Sequence, residues 1–142
     1  MVSRFGIIRR LLEVVKTREM VQNLKIRTTG VDQYVRNLSG GNQQKVVVGK
    51  WLMRDAHVVV FDEPTRGIDV ASKIEIYNII NDLKKNGIGV MFVSSELPEV
   101  LGMSDRIIVM CNGRKTAELV TAETNQEEVL KYATQYGDGG TL

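Results

Sequence analysis

The sequence predicts an α/β fold in which helices flank a parallel sheet. The first indication is Val58–Phe61, an unbroken run of β-branched and aromatic residues that is typical of a strand buried on both faces. The second is Ile88–Val93, a similar apolar run further along the chain. Between them lies one apolar stripe at helical spacing, formed by Ile76, Ile79, Ile80 and Leu83. A strand, a helix and a strand of these lengths predict a parallel βαβ unit.

Composition narrows the class of protein. A chain of 142 residues, 43% apolar and 25% charged, is long enough for one globular domain with a sizeable core. The net charge of +2 is too small to indicate a nucleic-acid partner. The single cysteine, Cys111, has no internal partner for a disulfide and fits a reducing compartment. No apolar run approaches the ~20 residues that a membrane span needs.

The N-terminal region predicts a helix that begins near Phe5. Its apolar residues recur at helical spacing and comprise Phe5, Ile8, Leu11, Leu12 and Val15. A second set around Met20–Leu24 extends the same helix. Basic residues such as Arg9 and Arg10 cover its other face, which favours a solvated surface, with a docking surface for an acidic partner or a membrane-protein loop as the alternative.

A second helix is predicted to begin near Ser39. Ser39 suits the N-cap, and Gly40 and Gly41 have no side chains to cover the backbone N–H groups of the first turn. A helix N-terminus of this kind can bind phosphate oxygens by N–H donation and through its dipole. From these residues alone a glycine-rich turn capped by Ser39 is the favoured interpretation, because short glycine motifs are weak evidence.

Two acids end the first predicted strand. Asp62 and Glu63 follow Val58–Phe61 directly, and Pro64, which cannot donate to a strand ladder, is predicted to stop the strand. Open α/β sheets bind ligands at the carboxyl ends of their parallel strands. One carboxylate can therefore hold a metal ion while its neighbour acts on water.

Local signals predict the remaining elements. Ser72 and Glu75 have the spacing of a capping box, and Gly87 can close the helix that they start. Ser95 is predicted to N-cap a short helix with Pro98 in its first turn.

The C-terminal part predicts a β-hairpin followed by a helix. Asn112-Gly113 is a two-residue hairpin signal between Arg106–Cys111 and Lys115–Val120. Thr124 and Glu127 form a second capping-box pattern, and the helix that follows is predicted to run to about Tyr136.

Three of these stretches resemble one family. Leu38–Val46, LSGGNQQKV, is similar to the signature motif of ABC-transporter ATPases. Val58–Asp69, VVVFDEPTRGID, resembles their Walker B motif and D-loop. Val93–Met110 resembles the switch region of one branch, the ATP-binding subunits of bacterial importers of the ribose and galactose type. The resemblance covers about residues 20–135 and is to the second of the two nucleotide-binding halves in those fused subunits.

The resemblance implies an incomplete P-loop NTPase-like fold. The phosphate-cradling motif G-x-x-x-x-G-K-S/T does not occur in these 142 residues, so the P-loop strand is expected to be absent. Residues 1–36 then correspond to part of the helical subdomain and residues 37–136 to the C-terminal part of the ATPase core. Residues 137–142 are expected to form a disordered tail.

The resemblance also implies roles for the two acids and the switch residue. Asp62 matches the residue that holds Mg²⁺ through water, and Glu63 matches the general base that polarises the attacking water. Ser95 stands where most family members have a histidine, and its hydroxyl cannot make the same charged contact to the γ-phosphate.

The signature and D-loop residues are implied to act between two domains. The residues matched to the signature contact with ATP held by the opposite nucleotide-binding domain are Ser39, Gly40, Gly41 and Asn42. Asp69 matches the D-loop aspartate at the dimer interface, and the alternative is a helix-start acid favoured by the helix dipole.

The implied function is that of a C-terminal fragment of the ATP-hydrolysing subunit of a bacterial sugar importer. Its cofactors would be ATP and Mg²⁺, at the cytoplasmic face of the inner membrane. Its partners would be the second nucleotide-binding half, the permease subunits and, indirectly, a sugar-binding protein. The fragment alone is expected to be inactive for lack of a P-loop and to self-associate through its exposed sheet edge.

Two other functions are alternatives. The first is a non-catalytic interaction module of an ABC assembly, which supplies only a signature face. The second is a soluble ABC ATPase of repair or translation, against which Ser95 and the residues Asn42–Gln44 argue.

Overall fold

The computed structural model describes Ser3–Arg4, Ile7–Ile8 and residues 10–54 and 56–135. The predicted positions Phe5 and Tyr136 and the expected tail 137–142 lie outside the described residues. The strands are β1 Ser3–Arg4, β2 Ile7–Ile8, β3 Val58–Asp62, β4 Gly89–Val93, β5 Arg106–Cys111 and β6 Arg114–Val120. The helices are α1 Arg10–Asn23, α2 Gly40–Leu52, α3 Val70–Lys85, α4 Leu97–Met103 and α5 Gln126–Thr134, with 3₁₀ turns at Val35–Asn37 and Thr121–Glu123.

The chain divides into two compact units. The first comprises the chain through Val60 together with Pro64–Met91. The second comprises Phe61–Glu63 together with the chain from Phe92 onward. None of the described helices combines the length and the apolar character that a membrane crossing requires.

Strands β3 and β4 pair in parallel, which confirms the predicted strand–helix–strand unit. The Gly89 amide donates to the His57 carbonyl at 2.9 Å before the strands begin, and the Glu63 amide donates to the Val93 carbonyl at 2.9 Å where they end. Because both bonds join corresponding ends, the two strands run in the same direction. Helix α3 makes the connection between them.

The prediction that β3 is buried on both faces is wrong. Val58 and Val60 are 64% and 60% exposed, and Met91 on β4 is 52% exposed. Among the described residues β3 pairs only with β4, so this sheet has two strands. One of its faces is partly covered by other residues, and the other face is exposed. Alternate side chains along a strand point to opposite faces, so the apolar run alternates between partly covered and exposed positions.

The core of the first unit forms where α2 packs against α1 and α3. A Cβ on Gly49 of α2 would lie 2.8 Å from Met20 Cγ and 2.9 Å from Leu24 Cδ1, so only glycine permits α1 to approach this closely. The buried apolar residues of this unit are Leu24, Ile26, Val48, Ile76, Ile80 and Leu83. Three of the four residues in the predicted α3 stripe are therefore in the core, and Ile79 is half-buried.

Gly87 closes α3, as predicted. Its φ of 77° is left-handed, a conformation that costs little only without a Cβ. The Gly87 amide donates to the Lys84 carbonyl at 3.0 Å and the Ile88 amide to the Leu83 carbonyl at 3.1 Å, which together form a Schellman motif.

The helix predicted from Phe5 starts later than expected. The antiparallel pairing of Ser3 with Ile8 and of Arg4 with Ile7 places Ile8 in β2, and α1 begins at Arg10. Leu11 is 86% exposed, so the start of the apolar stripe is not buried. The predicted continuation through Met20 and Val21 is confirmed, since α1 ends at Asn23.

The second unit is built on the predicted hairpin. Asn112 and Gly113 have φ values of 49° and 76°, both left-handed as a type I′ turn requires. Ile107 and Val109 of β5 and Val129 of α5 form the buried cluster, against which Leu97, Val100 and Leu101 of α4 pack.

The cap of α5 lies one residue later than predicted. Asn125 is the N-cap, and its Oδ1 accepts from the Glu128 amide at 3.0 Å. Thr124 donates its hydroxyl to Glu128 Oε2 at 2.7 Å, so the capping box expected at Thr124 and Glu127 is wrong by one position.

Candidate functional site

The predicted site residues fall into two groups, one in each unit. The signature group comprises Ser39, Gly40, Gly41, Asn42 and Asp69, all in the first unit. The strand-end group comprises Asp62, Glu63 and Ser95, all in the second unit.

The first turn of α2 is tied to the loop that follows α1. Ser39 occupies the predicted N-cap position, but its hydroxyl accepts from Asn42 Nδ2 at 2.8 Å and not from a backbone amide. Asn42 in turn accepts from the Arg27 amide through Oδ1 at 2.9 Å. Ser39 and Gly40 are exposed, so the backbone at the start of α2 is open to solvent.

Gly40 and Gly41 differ in what surrounds them. A Cβ on Gly40 would lie 3.7 Å from Ile68 Cγ2, which is ordinary contact. Gly41 is buried, and a Cβ there would collide with the Ser72 side chain of α3. The expectation that both glycines serve to uncover the backbone therefore fits Gly40, whereas Gly41 also lets two helices pack closely.

Asp69 is the N-cap of α3. Its Oδ1 accepts from the Ser72 amide at 3.0 Å and its Oδ2 accepts from the Ser72 hydroxyl at 2.7 Å. Both bonds favour the carboxylate, the amide bond more strongly, and lower the pKa of Asp69 below its ordinary value. The structure thus shows the helix-start role, and contact with another domain stays a prediction.

The capping box expected at Ser72 and Glu75 is wrong. Helix α3 begins at Val70, so Ser72 is the third residue of the helix and donates to Asp69. Glu75 instead forms an ion pair with Lys45 of α2, with 2.6 Å between Oε2 and Nζ.

Lys45 is a residue that sequence reasoning missed. It is 1% exposed, and besides its contact with Glu75 its Nζ donates to the Lys25 carbonyl at 3.1 Å. Helical spacing gives the signal that reveals it, because Lys45 follows Gly41 by one turn and shares a face with Val48 and Gly49. All four of these residues are buried.

The strand-end acids occupy a constrained turn. Asp62 is the last residue of β3 and is exposed. Glu63 is half-buried and has a φ of 47°, a left-handed conformation that is strained for a residue with a side chain. The bond from its amide to the Val93 carbonyl, 2.9 Å long, holds it at the end of β4. The geometry therefore fixes the point from which the Glu63 carboxylate projects.

Ser94, and not Ser95, organises the turn between β4 and α4. Its hydroxyl accepts from the Glu96 amide at 3.0 Å and donates to Glu99 Oε2 at 2.8 Å. Glu96 is the N-cap of α4, so the N-cap prediction for Ser95 is wrong, while Pro98 lies in the first turn as predicted. Ser95 is exposed between the two elements.

Asp62 fits one mode of magnesium binding. Mg²⁺ usually keeps several waters and binds through one or two carboxylates together with substrate phosphates. Within the part of the chain that the structure describes, no three His, Cys, Asp or Glu side chains cluster as a cage. A single exposed carboxylate such as Asp62 fits the phosphate-assisted mode.

Comparison with known sequences decides the family. The sequence model of the ABC transporter family matches residues 9–66. The chain is 53% identical over 84% of its length to a ribose import ATP-binding protein of Rubrobacter xylanophilus, and covers 24% of that protein. It is 51% identical over 93% of its length to a xylose import ATP-binding protein of Thermoanaerobacter pseudethanolicus, and covers 26% of it. This chain belongs to the ABC transporter family. It spans about a quarter of the length of the relatives it matches.

Solved structures confirm the ABC ATPase fold. A nucleotide-free ATP-binding cassette of an ABC transporter superposes with a TM-score of 0.71 and 28% identity, over 87% of this chain and 46% of that one. A dimeric bacterial ABC transporter cassette gives a TM-score of 0.69 and 21% identity, over 84% of this chain and 51% of that one. The expected P-loop NTPase-like α/β class is therefore correct.

Replacement of the two signature glycines by alanine tests the packing of α2 on α3. Gly41→Ala forces a methyl group into the Ser72 side chain and is expected to destabilise the chain by about 1–3 kcal/mol, the usual cost of overpacking. Gly40→Ala is the matched control and should be neutral or slightly stabilising, because a Cβ fits there and alanine favours helix. Urea unfolding measures both.

A second substitution separates the collision from other causes. Ser72→Gly removes the group that the new methyl would meet, so Gly41→Ala should cost less in that background than in the native chain. Equal costs for the two glycine variants, or no coupling to Ser72, would contradict the described contact.

Proposed function

We propose that the chain is the C-terminal part of a nucleotide-binding domain in the ATP-hydrolysing subunit of a bacterial sugar importer. The observation that carries this proposal is the identity of 53% and 51% to ribose and xylose import ATP-binding proteins, over 84% and 93% of the chain. The stretches that resemble the family's motifs lie at the ends of β3 and β4 and at the start of α2. Two relatives that import different sugars are about equally similar, so the proposal extends to monosaccharides as a class.

The strand-end group would act on water and metal. Glu63 is proposed as the general base, since its backbone is held at the Val93 carbonyl and the residue is half-buried. Asp62 would hold Mg²⁺, which neutralises charge on the phosphates of bound ATP. Ser95 would contact the nucleotide through an exposed hydroxyl whose position depends on the Ser94–Glu99 bond.

The signature group would serve ATP held by a second nucleotide-binding half. Ser39 and Gly40 expose the start of α2, where backbone donors and the helix dipole favour phosphate oxygens. Asn42 would complete this face, and Gly41 and Asp69 would hold it through Ser72. The partners would be that second half, permease subunits and, indirectly, a sugar-binding protein, at the cytoplasmic face of the bacterial membrane.

Nucleotide binding tests whether this chain binds ATP by itself or contacts ATP that a second half holds. The chain contains no G-x-x-x-x-G-K-S/T motif, so titration of the chain alone with MgATP in a calorimeter is expected to show no saturable binding at micromolar nucleotide. In the presence of a P-loop-bearing half from a sugar importer, MgATP should promote association, measured by sedimentation velocity. Micromolar binding by the monomer, or association that ignores MgATP, would contradict the proposal.

The exposed start of α2 at Ser39 and Gly40 also suits a second candidate, a non-catalytic interaction module that supplies only a signature face. As a module, the chain would complete only its partner's site, so Gly40→Asp would stop phosphate release by the complex whereas Glu63→Gln would not. As part of a longer subunit with its own P-loop, Glu63→Gln would also lower phosphate release. Phosphate release is measured for both variants, once in the complex with a P-loop-bearing half and once in the longer subunit.

The exposed sheet supports self-association of the 142-residue chain. Val58, Val60 and Met91 present an apolar face, and unpaired strand edges favour pairing with another chain. Light scattering is expected to give a mass that rises above the monomer with concentration. Val60→Lys should reduce this rise, whereas Val70→Lys, at another exposed valine on α3, should leave it unchanged. A strict monomer at every concentration would contradict the proposal.

A further inference from the structure

Lys45 carries a charge at a place where a charge is costly. Its side chain is only 2% exposed, whereas Lys and Glu are rarely buried unless they are paired. Removing an ammonium group from water is unfavourable, and an ion pair does not always compensate for this cost. Lys45 Nζ pairs with Glu75 Oε2 at 2.6 Å and also donates to the Lys25 carbonyl at 3.1 Å.

These contacts join three segments at the start of the signature helix. Lys45 belongs to α2, Glu75 belongs to α3, and Lys25 follows the end of α1 in a left-handed conformation with a φ of 50°. The Ile26 amide donates to the Val21 carbonyl at 2.9 Å, which fixes that helix end as a Schellman motif. Lys45 therefore binds a carbonyl whose own position is well defined.

The same segment after α1 also reaches the signature turn directly. Two residues beyond Lys25, the Arg27 amide donates to Asn42 Oδ1 at 2.9 Å, and Asn42 donates to the Ser39 hydroxyl at 2.8 Å. Lys45 thus holds one end of a short chain of bonds that leads through Arg27 to Asn42 and Ser39.

The same face of α2 also meets α3, at two successive points. Gly41 contacts Ser72, and Lys45 pairs with Glu75, one turn further along each helix. Packing at Gly41 alone fixes the separation of the helices but leaves rotation about that point. A directional ion pair one turn away removes this freedom, because it fixes which face of α2 meets α3.

We propose that Lys45 is a positioning residue for the signature turn. Through Glu75 and the Lys25 carbonyl it sets the rotation and height of α2, and so it places the Ser39 hydroxyl, the Asn42 side chain and the backbone of Gly40. The inference rests on the proposed nucleotide role of that turn. The geometric claim concerns α2 itself and can be tested without nucleotide.

Lys45→Met separates positioning from stability. Methionine keeps an unbranched apolar stem in the buried space, and loss of one partner of an ion pair is costly chiefly when the other charge stays buried. Glu75 is 41% exposed and can turn to water. The urea midpoint of Lys45→Met is therefore expected to stay close to that of the native chain, while the signature turn loosens.

Amide hydrogen exchange in the ¹⁵N-labelled chain measures the loosening. The reporters are the Arg27 amide, bonded to Asn42, and the Gln43 amide, bonded to the Ser39 carbonyl. Lys45→Met is expected to speed exchange at both by about tenfold, the factor expected for loss of a charged hydrogen bond, with amides of α5 unchanged. Lys85→Met is the matched control, because Lys85 is exposed and its pair with Asp82 lies on the surface of the same helix as Glu75.

Glu75→Gln provides the second single variant, and together with Lys45→Met it forms a double-mutant cycle. It removes the ion pair but leaves the Lys25 bond, so it should give a smaller increase at Arg27, and the double variant should be no faster than Lys45→Met. Unchanged exchange at Arg27 and Gln43, or the same increase at every protected amide of the unit, would overturn the proposal. A failure of MgATP-dependent association with these exchange results intact would instead contradict only the proposed function.

Discussion

The first unit depends on the buried ammonium group of Lys45. Helix α2 packs against both α1 and α3, and apolar contacts alone do not specify its rotation, because hydrophobic burial is non-directional. The ion pair with Glu75 and the bond to the Lys25 carbonyl specify one arrangement. The Gly41–Ser72 approach fits only that arrangement, since the two contacts lie one helical turn apart. The position of the start of α2, which carries the signature residues, is therefore determined by the buried contacts of Lys45 and Gly41.

In each unit the candidate site residues are held by hydrogen bonds or close contacts with neighbouring residues. Asp69 is bonded by Ser72, which is wedged against Gly41. Glu63 is held in a strained conformation by the Val93 carbonyl, and the turn around Ser95 is held by Ser94 and by Glu99, which is 7% exposed. Such support is what a binding or catalytic residue needs to keep its geometry. The ABC family assignment supplies the chemistry for which this geometry is proposed.

Sequence reasoning predicted the elements whose signals are local. The left-handed Gly87 and Asn112-Gly113, the helix after Ser39 and the strand–helix–strand unit all follow from residue type and spacing. Burial of Val58 and Val60 was mispredicted, because it depends on how many strands and layers surround β3. Both capping boxes were misplaced, because the true N-caps are Asp69 and Asn125, which accept from the amides of Ser72 and Glu128. Spacing along α2 could have placed Lys45 on the buried face, but it does not reveal the partners that satisfy the charge, which come from α3 and from the segment after α1.

The burial of Lys45 can be observed directly by nuclear magnetic resonance of lysine ammonium groups, in a chain labelled with ¹⁵N-lysine. An ammonium group bonded to Glu75 and to a backbone carbonyl, away from water, should exchange its protons slowly and give a distinct signal near neutral pH. That signal should shift in Glu75→Gln and persist in Lys85→Met. If every lysine ammonium group exchanges rapidly with water, Lys45 is not held as described, and the account of how α2 is positioned is wrong.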